Sequence, residues 1–173
     1  MEQDLRREVL AGVCRLFPED RNYEDQQPAI RAAVAASTFD VVDYDVYSWR
    51  LPKGPRNRSQ SKQTIQDLAD RERVIIALLE LAKRMPPTAQ DHLRKIILGR
   101  DLCMYLKQVL YTTDEYWNVL HALTKELYDT ADRAVFRDIP FSERLLCYLG
   151  ANGTRDDVET LIAASVEYGQ TPQ

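Results

Sequence analysis

Histidine is nearly absent from this chain, and with it goes the most familiar route to acid–base and metal chemistry. There are two, His92 and His121, where histidine is the usual base and metal ligand near neutral pH. Neither belongs to an HExxH run, nor to the Glu-x-x-His pair that bridges two metals in a bundle. Cysteine is scarce as well. Cys14, Cys103 and Cys147 lie far apart in apolar surroundings with no CxxC, which reads as reduced core thiols rather than a disulfide framework. Phosphate loops are missing: Gly54-Pro55-Arg56-Asn57-Arg58-Ser59 lacks the second glycine and the Gly-Lys-Ser/Thr close of a P-loop, and neither GxGxxG nor GxSxG occurs. No cofactor is implied. Long apolar runs are missing too. The longest is Val74 to Leu79, whereas a spanning helix needs about 18 apolar residues or more. With a charged start, Met1 to Arg7, in place of an apolar signal core, the expectation is a soluble cytoplasmic protein without a membrane partner.

Glycine and proline are sparse, at 6 and 8 of 173 residues, and their scarcity favours long regular elements. The apolar share of 45% and charged share of 29% are ordinary globular values, which exclude a disordered chain. The net charge of −4 argues against a surface that binds nucleic acid all over, though not against a local basic patch.

What is present is helical periodicity. Leu5, Val9, Val13 and Leu16 form one stripe over residues 2–17, which Pro18 stops. Pro28 reads as the first position of a second, alanine-rich helix with Ile30, Ala33, Val34 and Ser37. Thr38–Trp49 is divided. Phe39, Val42, Val46 and Trp49 recur in helical steps, while Val41, Tyr44 and Tyr47 are strand-prone types. A lone strand has no partner in this chain, so the reading leans helical. Residues 64–85 give the strongest pattern, with Leu68, Ile75, Leu78, Leu79, Ala82 and Met85, broadened by Val74 and Ile76. A helix apolar over so much of its surface is expected to be central and buried. Residues 89–112 form one helix or two, with Gly99 as the breaking or kinking point. Thr112-x-x-Glu115 is a capping box opening a helix to about Phe136. Ser142 caps a short helix with Leu145, Leu146 and Leu149, Gly150 to Gly153 make a turn, and Thr154 caps the last helix. The fold class is all-α, a multi-helix bundle of about seven to nine helices. A boundary is expected near residues 86–101, giving an N-terminal unit 1–97 and a C-terminal helical unit 98–173, either separate or packed into one domain.

Charge is segregated in the middle of the N-terminal unit. Asp40, Asp43 and Asp45 cluster beside Tyr44 and Tyr47, and no further acid appears before Asp67. Between them lies a proline-stiffened loop carrying Arg50, Lys53, Arg56, Arg58 and Lys62. The acidic group suits docking, and the loop suits carboxylate or phosphate, to which arginine offers two parallel hydrogen bonds. Opposite charges on one module permit head-to-tail association of copies.

Residues 4–97 resemble the effector-associated domains of bacterial conflict and signalling systems, small helical adaptors with a death-fold-like architecture. The resemblance is carried by a first helix ending Leu16-Phe17-Pro18, by the mid-domain Trp49, and by Leu78-Leu79-Glu80-Leu81-Ala82-Lys83 followed by proline and a closing Leu93. The chain departs from that pattern in its long basic loop and its Pro86-Pro87 pair, and residues 101–173 are outside it. The resemblance implies a non-enzymatic adaptor that pairs homotypically with an effector's matching domain. The sequence thus points first to a protein–protein interaction module, able to self-associate, with Arg50, Lys53, Arg56, Arg58 and Lys62 on one partner-binding surface and Asp40, Asp43 and Asp45 on another. Two other readings stand beside it: a regulator that binds nucleic acid through loop 50–62, and an enzyme with an unrecognised site around His121.

Overall fold

The computed structural model describes residues 22–36, 38, 40, 43–45 and 62–167, and every regular element among them is helical. The chain divides into two units, Met1–Ser61 and Lys62–Gln173. This is not the division expected at 97/98. The reason is packing: Leu68 and Ile75, from the N-terminal side of the expected boundary, share one core with Leu102, Leu120, Leu146 and Val158 from the other side.

In the first unit the described helix is α1, Gln26–Ala35. Pro28 is its third residue rather than its first, still within the turn whose amides lack helical acceptors, so the missing N–H costs nothing. Tyr23, in the turn leading into α1, has φ 67°, a left-handed conformation that is unusual for a bulky residue. Thr38, Asp40 and Asp43 to Asp45 carry neither helix nor strand, against the helical lean for 38–49. Asp40 and Asp43 would fall on one helix face, where like charges three apart repel. The helix expected over 2–17, with Cys14, lies outside the described residues, as do Trp49 and the frayed end expected at 170–173.

The second unit is built from α2 (Ile65–Ala82), α3 (Pro87–Ile96), a π-helical turn (Ile97–Asp101), α4 (Leu102–Leu106), α5 (Asp114–Asp129), α6 (Phe141–Asn152) and α7 (Arg155–Glu167), with short 3-10 turns at Val109–Tyr111 and Arg133–Phe136. Helical backbone at Ile97, Asp101 and Leu102 makes α3, the π turn and α4 one continuous rod, so the described residues hold six helical rods, fewer than the seven to nine expected.

Gly99 therefore does not break its helix. It sits in the π turn, where a Cβ would come within 3.0 Å of the Ile139 side chain. The glycine lets the rod approach Ile139, and the extra residue of the π turn resets the register. Downstream of it, Leu102, Cys103, Tyr105 and Leu106 are all buried. Helix α2 buries Leu68, Val74, Ile75, Leu78 and Ala82 as expected, but not all round, since Ile76 is 53% exposed.

End signals account for the other boundaries. Thr64 accepts from the Asp67 amide to start α2. The cap of α5 is Thr113, one residue later than expected, and accepts from the Tyr116 amide at 3.3 Å, while Thr112 donates to the Val109 carbonyl instead. Helix α5 ends at Asp129, short of Phe136, where the Thr130 hydroxyl donates to the Glu126 carbonyl. Pro140 rather than Ser142 precedes α6. The turn expected at Gly150 is helical. A Cβ on Gly150 would lie 2.7 Å from Leu106, so the glycine serves close packing of α6 on α4. Thr154 caps α7 as expected, accepting from the Asp157 amide while Asp157 accepts back from the Thr154 amide at 2.7 Å. Arg155 then ties α7 to the entrance of α5. Its guanidinium donates to the Val109 and Thr112 carbonyls, to Asp114 at 2.6 Å and to Glu159 at 2.6 Å.

Candidate functional site

The acidic residues singled out by sequence lie on the surface of the first unit. Asp40, Asp43 and Asp45 are exposed, and the Tyr44 ring among them is 67% exposed. Three exposed carboxylates within six residues of sequence present negative charge beside an uncovered aromatic. Arg50, Lys53, Arg56 and Arg58 lie outside the described residues. Lys62 opens the second unit and is half-buried. Its backbone carbonyl accepts from the Tyr116 hydroxyl at 2.6 Å, and its charge acts on Asp101. Lys62 is thus tied to the bundle rather than simply part of a loop.

A buried polar seam joins α2 to the rod that carries α4. Asp67, Asp70 and Arg71 are buried on α2, and Tyr105 is buried on α4. The Tyr105 hydroxyl donates to Asp67 at 2.7 Å, Arg71 forms an ion pair with Asp101, and Asp70 accepts from Gln66 at 3.1 Å and Arg73 at 3.2 Å. Burial pushes the Asp101 carboxyl above its usual range, and the opposing pull of Arg71, then Arg100 and Lys62, does not cancel it. The desolvation cost of this carboxylate exceeds its Coulombic gain, as is common for enclosed ion pairs. Such a seam fixes how two helices register.

His121, Cys103 and Cys147 take part in packing. His121 is half-buried on α5, with Nδ1 2.9 Å from the Gly150 carbonyl and its ring centre 5.1 Å from that of Trp117. A carbonyl only accepts, so Nδ1 carries the proton. Burial pushes the Cys147 thiol up to about 12 and raises that of Cys103 as well, so neither is a thiolate at neutral pH. Cys103 instead donates to the Leu98 carbonyl at 3.4 Å. His92 is exposed in the middle of α3, not at a helix start. Among the described residues no group of three or more His, Cys, Asp or Glu side chains is placed to hold a metal ion. No helix among them is long and apolar enough to cross a membrane.

The outer face of α6 is the surface that sequence reasoning missed. Phe141 is 70% exposed and Tyr148, two turns along, 49% exposed. Arg144 lies between them in sequence, its guanidinium 6.0 Å from the centre of the Phe141 ring and its Nη1 donating to the Phe136 carbonyl at 3.4 Å. Tyr128 of α5 joins this face edge-on to Tyr148, with ring centres 6.1 Å apart, and packs on Phe136 at 4.6 Å. Burial raises the Tyr128 phenol, and the nearby Arg133 pulls it partly back. The signal was available as the spacing Phe141, Arg144, Tyr148 on one helix face. It was masked by the leucines beside it: Leu146 is buried, whereas Leu145 and Leu149 are half-buried at the margin.

Compared with known proteins, the chain matches no family model, no curated protein and no solved structure.

Proposed function

We propose that this protein is a non-enzymatic helical adaptor of the cytoplasm, which acts by protein–protein contact and associates with further copies of itself. The observation that carries the reading is the exposed acidic segment, where Asp40, Asp43 and Asp45 are all exposed and Tyr44, between the last two in sequence, is 67% exposed. Like charges held together on a surface repel each other, and a cationic partner relieves that repulsion while fixing orientation. The same chain carries five cations between residues 50 and 62. Contact of one patch on one copy with a different patch on the next is heterologous, and it builds rings or filaments. The resemblance of residues 4–97 to death-fold-like adaptors supports a homotypic domain as the natural partner.

Light scattering over a concentration series tests the reading. The wild-type chain is expected to gain mass with concentration at low salt and to lose the gain as salt shortens the screening length to a few ångströms, near about 1 M. Asp40→Lys/Asp43→Lys/Asp45→Lys is expected to stay monomeric with unchanged helical circular dichroism. A wild-type chain that is monomeric throughout, or a triple variant that assembles as the wild type does, overturns it. Retention on a nucleic-acid column that falls steeply with salt would favour the regulator instead.

A further inference from the structure

The acidic segment needs a receiving surface, and α6 supplies one that answers both its charge and its exposed ring. Resting on the self-association reading, we propose that the outer face of α6, with the arginines at its edge, is the docking surface for the Asp40–Asp45 segment of a second copy.

Interfaces concentrate binding in aromatic and arginine side chains that become covered, while isolated carboxylates steer the approach. The α6 face has that composition. Phe141 and Tyr148 leave 70% and 49% of their surface to solvent, although other rings of the unit, Tyr105 and Tyr116, are almost wholly buried. Arg133 and Arg137 are exposed at the turn that packs beside them, and Arg144 is half-buried between the rings. Among the described residues none of these three arginines forms an ion pair, whereas of the nearby acids Asp129 pairs with Lys125 and Asp138 with Lys95, leaving Asp132, which caps the Ala134 amide, and Glu143, which accepts from the Ser142 hydroxyl, against three cations. The balance of available charge on this face is therefore positive.

The match is one of kind. Tyr44 answers the exposed rings of Phe141 and Tyr148, two turns apart on α6, and the exposed carboxylates of Asp43 and Asp45 beside it in sequence answer the arginines. Tyr44 is 67% exposed in its own chain, so its ring has surface to lose on docking. Loop 50–62 offers charge too, but only Trp49 beside it as an aromatic.

Mixing complementary variants tests this surface against the loop. Arg133→Glu/Arg137→Glu is expected to lose self-association by about tenfold or more in dissociation constant, and Tyr148→Ser to lose a smaller part, with circular dichroism unchanged because all three side chains are exposed. Asp40→Lys/Asp43→Lys/Asp45→Lys is expected to fail alone as well. An equimolar mixture of the arginine and aspartate variants pairs an intact acidic segment with an intact α6 face, and a lysine segment with a glutamate face, so it is expected to recover association that neither variant has alone. If Arg133→Glu/Arg137→Glu assembles as the wild type does while Arg56→Glu/Arg58→Glu is monomeric, the loop is the receiver; α6 is then excluded and the adaptor reading stands. Two monomeric variants that do not combine when mixed also exclude α6. A monomeric wild-type chain removes both.

Discussion

Two regions of the second unit invert the usual arrangement of polar and apolar side chains. Between α2 and α4, two aspartates, an arginine and a tyrosine are buried. On α6, a phenylalanine and a tyrosine face water. The contrast separates what holds the fold from what the fold displays. A charge taken out of water is tolerable only with a partner, and each buried side chain of the seam whose contacts are described has one: Tyr105 on Asp67, Arg71 on Asp101, Gln66 and Arg73 on Asp70. An exposed ring needs no partner to be tolerated, but it gains by being covered. The seam is therefore where substitution damages stability, and the outer face of α6 is where substitution leaves stability nearly unchanged.

The sharpest way to break this contrast is at the seam. Arg71→Ala leaves Asp101 enclosed without its cation, and denaturant unfolding should show a loss of about 3–5 kcal/mol. The two faces of α6 come next. Gly150→Ala forces a methyl to 2.7 Å from Leu106, and the resulting overpacking should cost about 1–3 kcal/mol by thermal or chemical unfolding. A third comparison uses pH, with one carboxylate inside and one outside. In the folded chain Asp101 keeps its proton above the unfolded value of 3.8. Its contribution to stability is full below that value and fades as pH rises through the higher folded one. Asp157, held low by the Thr154 amide and hydroxyl, does the reverse: its contribution is present above 3.8 and is lost as pH falls. Unfolding measured between about pH 3 and pH 7 should therefore show Asp101→Asn removing a decline with rising pH and Asp157→Asn removing a gain. The smallest effect is expected at Phe141→Ser, within about 0.5 kcal/mol despite the size of the side chain. A large loss there would show that the ring is part of the core after all.

The sequence made the helices legible and the pairings not. The pattern over 64–85 corresponds to α2 at Ile65–Ala82, because leucine periodicity and Pro86 are local signals. Thr154 was readable for the same reason. Gly99 and Gly150 were misleading, since a glycine that turns the chain and one that admits a neighbour look alike until Ile139 and Leu106 are in place. The seam was invisible. Asp101 meets Arg71 from 30 residues away and Tyr105 meets Asp67 from 38, and nothing in an amphipathic pattern announces a charge that will be buried. The exposed acids at 40, 43 and 45 were readable as charge alone. The α6 face was not, because aromatic residues at helical spacing ordinarily mean core, and only the placement of Leu146 and Cys147 inside turns Phe141 and Tyr148 outward.

Arg155 carries a consequence for the order in which the molecule is finished. The carbonyls of Val109 and Thr112 receive its guanidinium from 46 and 43 residues downstream. During synthesis the corner ahead of α5 waits for the 46 residues that follow Val109, as far as Arg155, to leave the ribosome. One side chain then fastens the beginning of the bundle's second half to its end, and a fragment cut before residue 155 would lose α7, with Val158 and Ile162 of the core, together with that stitch.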